Sequence, residues 1–237
     1  MSFTGSDDIS AASCGAEAVA QAVASRKSVR GFLPRPVDAQ LLRRILAIAA
    51  TAPSGSNIQP WKVHAVTGVK RDELAAALHA AHQRGTAAAR EYEYYPVAWR
   101  SPYLERRRAC GWGLYGALGI QKGDREAMSR QHGRNFLFFD APVVLIFTID
   151  NDLQQGSWLD YGMFLQNIMV AARGFGLDTC PQAALANYPD IVKRLLNIDA
   201  DQTLVCGMSL GYEDPGCAAN QFRTERMALE EFVTFHE

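Results

Sequence analysis

No apolar run in the 237-residue sequence approaches the roughly 20 residues that span a bilayer. Residues 1–16 have neither the basic start nor the apolar middle of a secretory signal, so the expected location is the cytoplasm. The five cysteines, Cys14, Cys110, Cys180, Cys206 and Cys217, are odd in number and widely spaced. That fits neither a disulfide framework nor a metal knuckle; reduced thiols and no bound metal are expected. A formal net charge of −1 excludes a whole-protein electrostatic association with nucleic acid or an anionic membrane, so any anion must be bound locally. There is no internal repeat, and no low-complexity stretch follows the first 16 residues.

Hydrophobic residues make up 48% and charged residues 21% of the chain, ordinary values for a globular protein with an adequate core. Residues 1–16, rich in Ser, Ala, Gly and Asp without periodicity, are expected to form a disordered tail. Residues 17–237 are expected to form one domain. From Val37 to Thr51 apolar residues recur at helical spacing, with Asp38 as N-cap and Val37 and Leu42 placed as a hydrophobic staple. Trp61–Thr67 reads as a strand, Asp72–Arg84 as a helix closed by Gly85, and the apolar run Ala141–Ile149 as a central strand. Ser157 with Asp160 resembles a capping pair opening a helix to Arg173 whose apolar residues wrap most of its circumference. Such a helix is buried on nearly all sides, either at a subunit interface, the favoured reading, or in the centre of a monomer. Pro189–Leu196 reads as a helix, Thr203–Leu210 as a strand and Glu231–Phe235 as a terminal strand. The class is α+β. Residues 83–134, carrying several tyrosines and tryptophans beside many arginines, read as a helical insertion.

Several motifs tempt and fail on context. Gly111–Gly116 matches GxGxxG, yet the charged stretch Leu104–Arg108 precedes it instead of a buried strand, so close helix packing is the better reading. Gly207-Met208-Ser209-Leu210-Gly211 matches a nucleophile elbow, but the turn-like Tyr212–Gly216 follows where a helix is required. The only downstream histidine is His236, next to the terminus. His79 and His82 share a helix without a joining cysteine or carboxylate cluster and read as exposed polar residues. Arg106–Arg108 reads as a solvated helix face.

The informative segments are Ser25–Phe32 and Ala52–Trp61. Arg26, Lys27 and Ser28 offer a guanidinium fork, an ammonium and a hydroxyl in succession, a set suited to a dianionic phosphate monoester. In an extended segment Arg26, Ser28 and Arg30 share a face and line one side of a ligand. In the second segment Pro53, Gly55 and Asn57 are turn formers, and with Ser54 they give a loop of little bulk that lets backbone amides approach a flat ligand. Taken singly, the first also reads as a basic surface patch and the second as a plain helix-to-strand turn.

Together with Cys180-Pro181-Gln182-Ala183-Ala184 and Arg223-Thr224-Glu225-Arg226, these strings resemble the FMN-dependent nitroreductase family over residues 20–237. The resemblance implies a three-layer fold with a mixed, mainly antiparallel sheet flanked by helices, in an intertwined homodimer with FMN at the interface. It assigns the phosphate to Arg26, Lys27, Ser28 and Arg226, with Arg223 as helper. It also sets Arg30, often a lysine in the family, by the pyrimidine edge, where a fixed cation favours the reduced state and makes Arg30 the candidate catalytic residue. A backbone amide within Pro181–Ala183, with Gln182 where some members carry Glu, meets the hydride-accepting nitrogen. Pro53, Ser54, Gly55 and Asn57 come from the other subunit. The implied activity is ping-pong reduction of nitroaromatics by NADH or NADPH through nitroso to hydroxylamine, with quinones as further acceptors. Tyr94, Tyr95, Trp99 and Tyr103 are the candidates to sandwich the substrate ring. Enone reduction, reductive dehalogenation, flavin breakdown and a non-enzymatic flavin-binding dimer are the alternatives on the same scaffold.

Overall fold

A computed structural model describes residues 14–236 of the chain. The uninterrupted run Val143–Asp150 forms strand β2, buried from Val143 to Ile149, as a strand covered on both faces must be. It pairs antiparallel with β1 (Lys62–Thr67) on one side and β4 (Gln202–Gly211) on the other, and β4 pairs antiparallel with β3 (Asp178–Gln182). The sheet order is β1-β2-β4-β3. An isolated parallel bridge between Ser28 and Thr179 adds the segment after α1 (Cys14–Ser25) to the β3 edge.

Alternation along the strands sends Leu145, Phe147 and Ile149 to one face and Val144 and Ile146 to the other. The first group packs with α2 (Ala39–Ala49) and α6 (Gln155–Gly174), through Ile45, Phe164 and Ile168. The second packs with α3 (Gly68–Gln83) and α7 (Pro189–Leu196), through Leu74, Leu78 and Val192. The result is three layers, helices on both faces of an antiparallel sheet, with α4 (Tyr103–Ala117) and α5 (Arg125–Gly133) on the inserted stretch. No described helix is long and apolar enough to cross a membrane.

Local signals held where they were strongest. Asp38 caps α2 by accepting from Leu41 N at 3.1 Å, and Gly85 takes the left-handed conformation that ends α3 (φ 66°). Other expectations are corrected. Residues 14–16 belong to α1, and the rest of the expected tail, residues 1–13, lies outside the described residues. Helix α3 begins at Gly68, one turn before Asp72. Helix α6 begins at Gln155 with no side-chain cap, because the Asp160 carboxylate accepts from Gly55 N instead. Glu231–Phe235 forms no strand; its first residue ends a 3-10 turn at Leu229–Glu231, and the segment pairs with no strand of the described chain. The insertion is helical only in α4 and α5, and residues 84–102 form no helix. His79 and His82 are half-buried, with His82 against Phe136 and Gly133.

Candidate functional site

The segment after α1 runs extended past the end of β3, and Val29 N donates to Thr179 O at 3.0 Å. Val29 is fully buried with Phe32, Phe139 and Cys180, which sets the alternation: Arg26, Ser28 and Arg30 share the neighbourhood of Cys180. Burial pushes the Cys180 thiol up to about 11, against the pull of Arg30, the Ser28 hydroxyl and Arg26. At neutral pH it is a protonated, packed side chain with no nucleophile's character.

The C-terminal segment brings Arg223 and Arg226 to Arg26. Burial first, then repulsion by Arg226 and Arg223, lowers the Arg26 pKa from its ordinary value. Arg223 donates to Ser25 O at 3.2 Å and Arg226 to Thr224 Oγ1 at 2.7 Å. None of Arg26, Arg30, Arg223 and Arg226 forms an ion pair among the described residues. Three guanidiniums near one another beside a serine hydroxyl could hold a multiply charged anion, and a phosphate monoester fits that donor set.

Lys27 departs from its expected role. Its ammonium pairs with Glu213 at 2.5 Å and donates to Asn220 O at 2.7 Å. The same alternation that gathers Arg26, Ser28 and Arg30 turns Lys27 the other way, into a tie with the C-terminal segment.

Strand β3 leads from the guanidinium cluster to a cleft of about 580 Å³. Pro181, Gln182 and Ala183 line one side and Tyr92, Tyr94, Trp158 and Leu165 the other. Arg26, Ser28 and Arg30 surround Cys180, and the cleft lining begins at the next residue, Pro181, so the guanidinium cluster and the cleft adjoin along β3. A proline is tolerated in β3 because the strand lies at the sheet edge, where a missing N–H breaks no ladder. The Gln182 side chain is spent internally, donating to Asn135 O at 2.8 Å and accepting from Ser209 Oγ at 2.6 Å. Only its backbone is left to meet a ligand. Ser209 itself is buried within β4, with no elbow.

Of the four aromatic candidates, Tyr94 borders the cleft. Tyr95 and Trp99 pack together outside it at 5.3 Å beneath Arg107, and Tyr103 lies under Arg100. Two residues that sequence reasoning missed take their place. Tyr92, its hydroxyl bonded to Val205 O and its pKa raised by burial, packs on Trp158 at 4.6 Å. Trp158 had been visible only as one apolar position among many in α6.

The Pro53–Asn57 loop does not join this site within the protomer. Gly55 N donates to the buried Asp160 carboxylate at 3.0 Å. Asp160 lies two residues, about 200° of helix, from the cleft-lining Trp158, and the thirteen residues to Arg173, which holds Ser25, span about 20 Å. The loop is tightly wound, with Ser56, Asn57 and Gln59 all at positive φ. Strain of this kind persists only where its surroundings enforce it. The glycines of Gly111–Gly116 lie inside α4, and Gly113 is there because Phe222 packs against it: an added Cβ would come within 2.2 Å of the ring. The described residues contain no cluster able to hold a metal ion.

Residues 23–212 match the profile of the Nitroreductase family. The chain is 44% identical to the 4-nitrobenzoate reductase of Pseudomonas putida, over 90% of this chain and 93% of that protein. It is 42% identical to the chloronitrobenzene nitroreductase of Comamonas testosteroni, over 91% and 96%. Its fold superposes on the crystal structure of the FMN-dependent nitroreductase NfnB from Mycobacterium smegmatis in complex with NADPH with a TM-score of 0.90. That match is at 33% identity and covers 94% of this chain and 99% of that one.

Proposed function

The chain belongs to the nitroreductase family, and we propose on that premise that it is an FMN-dependent oxidoreductase that reduces nitroaromatic compounds with NADPH or NADH. The observation that carries the reading is the cluster of Arg26, Arg223 and Arg226 beside Ser28, three cations with no carboxylate partner among the described residues, next to the cleft that β3 borders. FMN, when bound, supplies the hydride chemistry, alternately accepting from the nicotinamide and giving to the nitro group.

The chain's own residues bind, orient and exclude. Arg26, Ser28, Arg223 and Arg226 hold the phosphate through charge-assisted hydrogen bonds. Arg30, on the same face of the extended segment, would give a fixed positive charge for the pyrimidine edge. The Pro181–Ala183 backbone would border the ring, while Tyr92, Tyr94 and Trp158, which line the same cleft, would make an apolar wall for a planar donor or acceptor admitted in turn. Solvent supplies the protons that nitro reduction consumes.

The site is completed in a homodimer. Leu159 is 72% exposed and Met163 is also uncovered, one turn apart on α6, an apolar stripe that a second copy covers. Phe232 and Phe235, exposed on a C-terminal stretch that pairs with no strand among the described residues, offer further apolar surface to a second copy. A second copy set antiparallel along α6 carries its Pro53–Asn57 loop toward the first copy's cleft. A donor regenerated inside the cell supports a cytoplasmic location.

The test is spectroscopic. The purified protein is expected to be yellow, to bleach within seconds under NADPH or NADH without oxygen, and to recover its colour with 4-nitrobenzoate or nitrobenzene as the hydroxylamine appears. Colourless protein that takes up no added FMN overturns the reading; yellow protein that the nicotinamides do not bleach makes it a flavin carrier.

A further inference from the structure

Asn220 closes a short 3-10 turn (Ala218–Asn220), is 1% exposed, and spends both ends of its side-chain amide on distant parts of the chain. Its Oδ1 accepts from Arg30 N at 2.7 Å. Its Nδ2 donates to Gly31 O at 2.8 Å and to Asp214 O at 3.0 Å. Its own backbone carbonyl accepts from Lys27 Nζ, the ammonium that also pairs with Glu213. One buried residue thus grips the chain at Lys27, Arg30 and Gly31, within the segment that carries the phosphate and flavin-edge cations.

The grip is close. A Cβ on Gly31 would fall 2.4 Å from Cys217 Sγ, so the turn that bears Asn220 lies directly on the Arg30–Gly31 peptide. On either side of that peptide, Asn220 offers Arg30 N–H the acceptor and Gly31 C=O the donor that a neighbouring strand would otherwise supply. Removing the amide would leave the Arg30 N–H, and in part the Gly31 and Asp214 carbonyls, buried without a partner. Such groups recover their hydrogen bonds by moving toward water. The Arg30 guanidinium leaves from the peptide that would move, and the field of a charge weakens with each increment of distance.

We infer that Asn220 is the positioning residue for Arg30: its amide fixes where a cation stands against the flavin's pyrimidine edge, and so sets the flavin's reduction potential. The inference rests on the flavin site proposed above. Its role is separable from stability, because a residue that merely holds the fold together alters folding and flavin affinity without selecting between the oxidised and reduced states.

The experiment compares the potential of bound flavin in wild-type protein, Arg30→Met, Asn220→Ala and the double variant, each saturated with FMN, together with the FMN dissociation constant. Arg30→Met and Asn220→Ala are each expected to shift the reduced-to-oxidised ratio at fixed poise about tenfold toward oxidised flavin, about 30 mV for a two-electron couple. In the Arg30→Met background the Asn220 substitution is expected to add less than about twofold, since residues acting through one another are not additive. Should Asn220→Ala not fold, Asn220→Asp serves with the same expectation. It keeps the shape and the acceptor for Arg30 N–H but turns an oxygen toward the Gly31 and Asp214 carbonyls. An Asn220 variant that binds FMN at the wild-type potential while Arg30→Met lowers it overturns the inference alone, as does one that no longer binds FMN. An unchanged potential in Arg30→Met overturns the flavin-edge reading of Arg30 itself, and the inference with it.

Discussion

Arg173 and Asp178 form an ion pair at 2.9 Å across the turn from α6 to β3, and the same guanidinium donates from Nε to Ser25 Oγ at 2.9 Å. The pair therefore docks the end of α1, one residue before Arg26, onto the strand that leads to the cleft. Burial raises the Asp178 pKa and the Arg173 charge offsets only part of that. A carboxyl whose folded pKa lies above its unfolded value makes folding costlier while ionised, and that cost fades as pH falls through the folded pKa. Arg173→Ala is expected to destabilise by about 2–3 kcal/mol at pH 8, the low end for a broken buried pair because the Arg173 side chain is 33% exposed. As pH is lowered from 8 to 5 the loss should shrink, since removal of the Arg173 charge raises the Asp178 pKa further and each carboxyl that gains a proton needs no partner. Denaturant midpoints at the two pH values check this; an equal loss at both would mean the pair contributes through packing alone.

Arg26 should show opposite effects on binding and folding. The like charges of Arg223 and Arg226 act on it in the ligand-free protein, so Arg26→Ala is expected to stabilise the apoprotein by about 0.5 kcal/mol, the scale of partly exposed charge interactions. The same substitution removes a charge-assisted bond to phosphate, about 1.5–3 kcal/mol, and is expected to weaken FMN binding by about 10- to 100-fold. Thermal unfolding without flavin and fluorescence titration with it measure the two halves. A variant that loses apoprotein stability would show that Arg26 serves the fold before it serves an anion.

Gly113 offers a sign reversal. Alanine in a helix interior is ordinarily favoured over glycine by about 1 kcal/mol, but a Cβ here falls 2.2 Å from Phe222 Cε2 and 2.5 Å from Cζ. Gly113→Ala should therefore cost about 1–3 kcal/mol, the range for overpacking. In a Phe222→Ala background the same change should stabilise by about 1 kcal/mol, because the obstacle is gone and the helix preference remains. A four-member set of denaturation curves decides it. Because Phe222 immediately precedes Arg223, the destabilised variant should also bind FMN more weakly.

What the sequence disclosed, and what it withheld, follows from the range of the forces involved. The Asp38 cap and the buried run of β2 are local signals, and the structure carries both. The pairing of Arg26 with Arg226, two hundred residues apart, was reached only through family resemblance, since nothing in either segment names the other. Lys27 was misread although its neighbours held the answer: alternation that groups Arg26, Ser28 and Arg30 must turn Lys27 away. Glu231–Phe235 has strand-like side chains but pairs with no strand among the described residues, because a strand-like pattern cannot by itself supply an edge to pair with. Asn220 left no signal, because an asparagine in a turn is ordinary and its importance comes from three hydrogen bonds to residues remote in sequence or held by the fold.

The proposed division of the site between two subunits gives the sharpest prediction. Asp160 holds Gly55 N, and with it a loop wound through three positive-φ residues, on the flank of α6 away from the protomer's own cleft. If the loop completes the partner's site, one protein lacking the phosphate cations (Arg26→Ala with Arg226→Ala) and another lacking the loop anchor (Asp160→Ala) should each reduce nitrobenzene poorly as homodimers. Unfolded together and refolded as a mixture, they form hybrids in which one site carries both defects and the other carries neither. Random pairing gives half hybrids, so about one quarter of all sites should recover, a consequence of two-fold symmetry with no new contact. Asp160→Asn, which keeps an oxygen for Gly55 N, should restore most of the activity as a homodimer and so separates loss of the anchor from loss of a charge. If hybrids stay as inactive as their parents while remaining dimeric by light scattering, each loop serves its own protomer and the shared site is wrong.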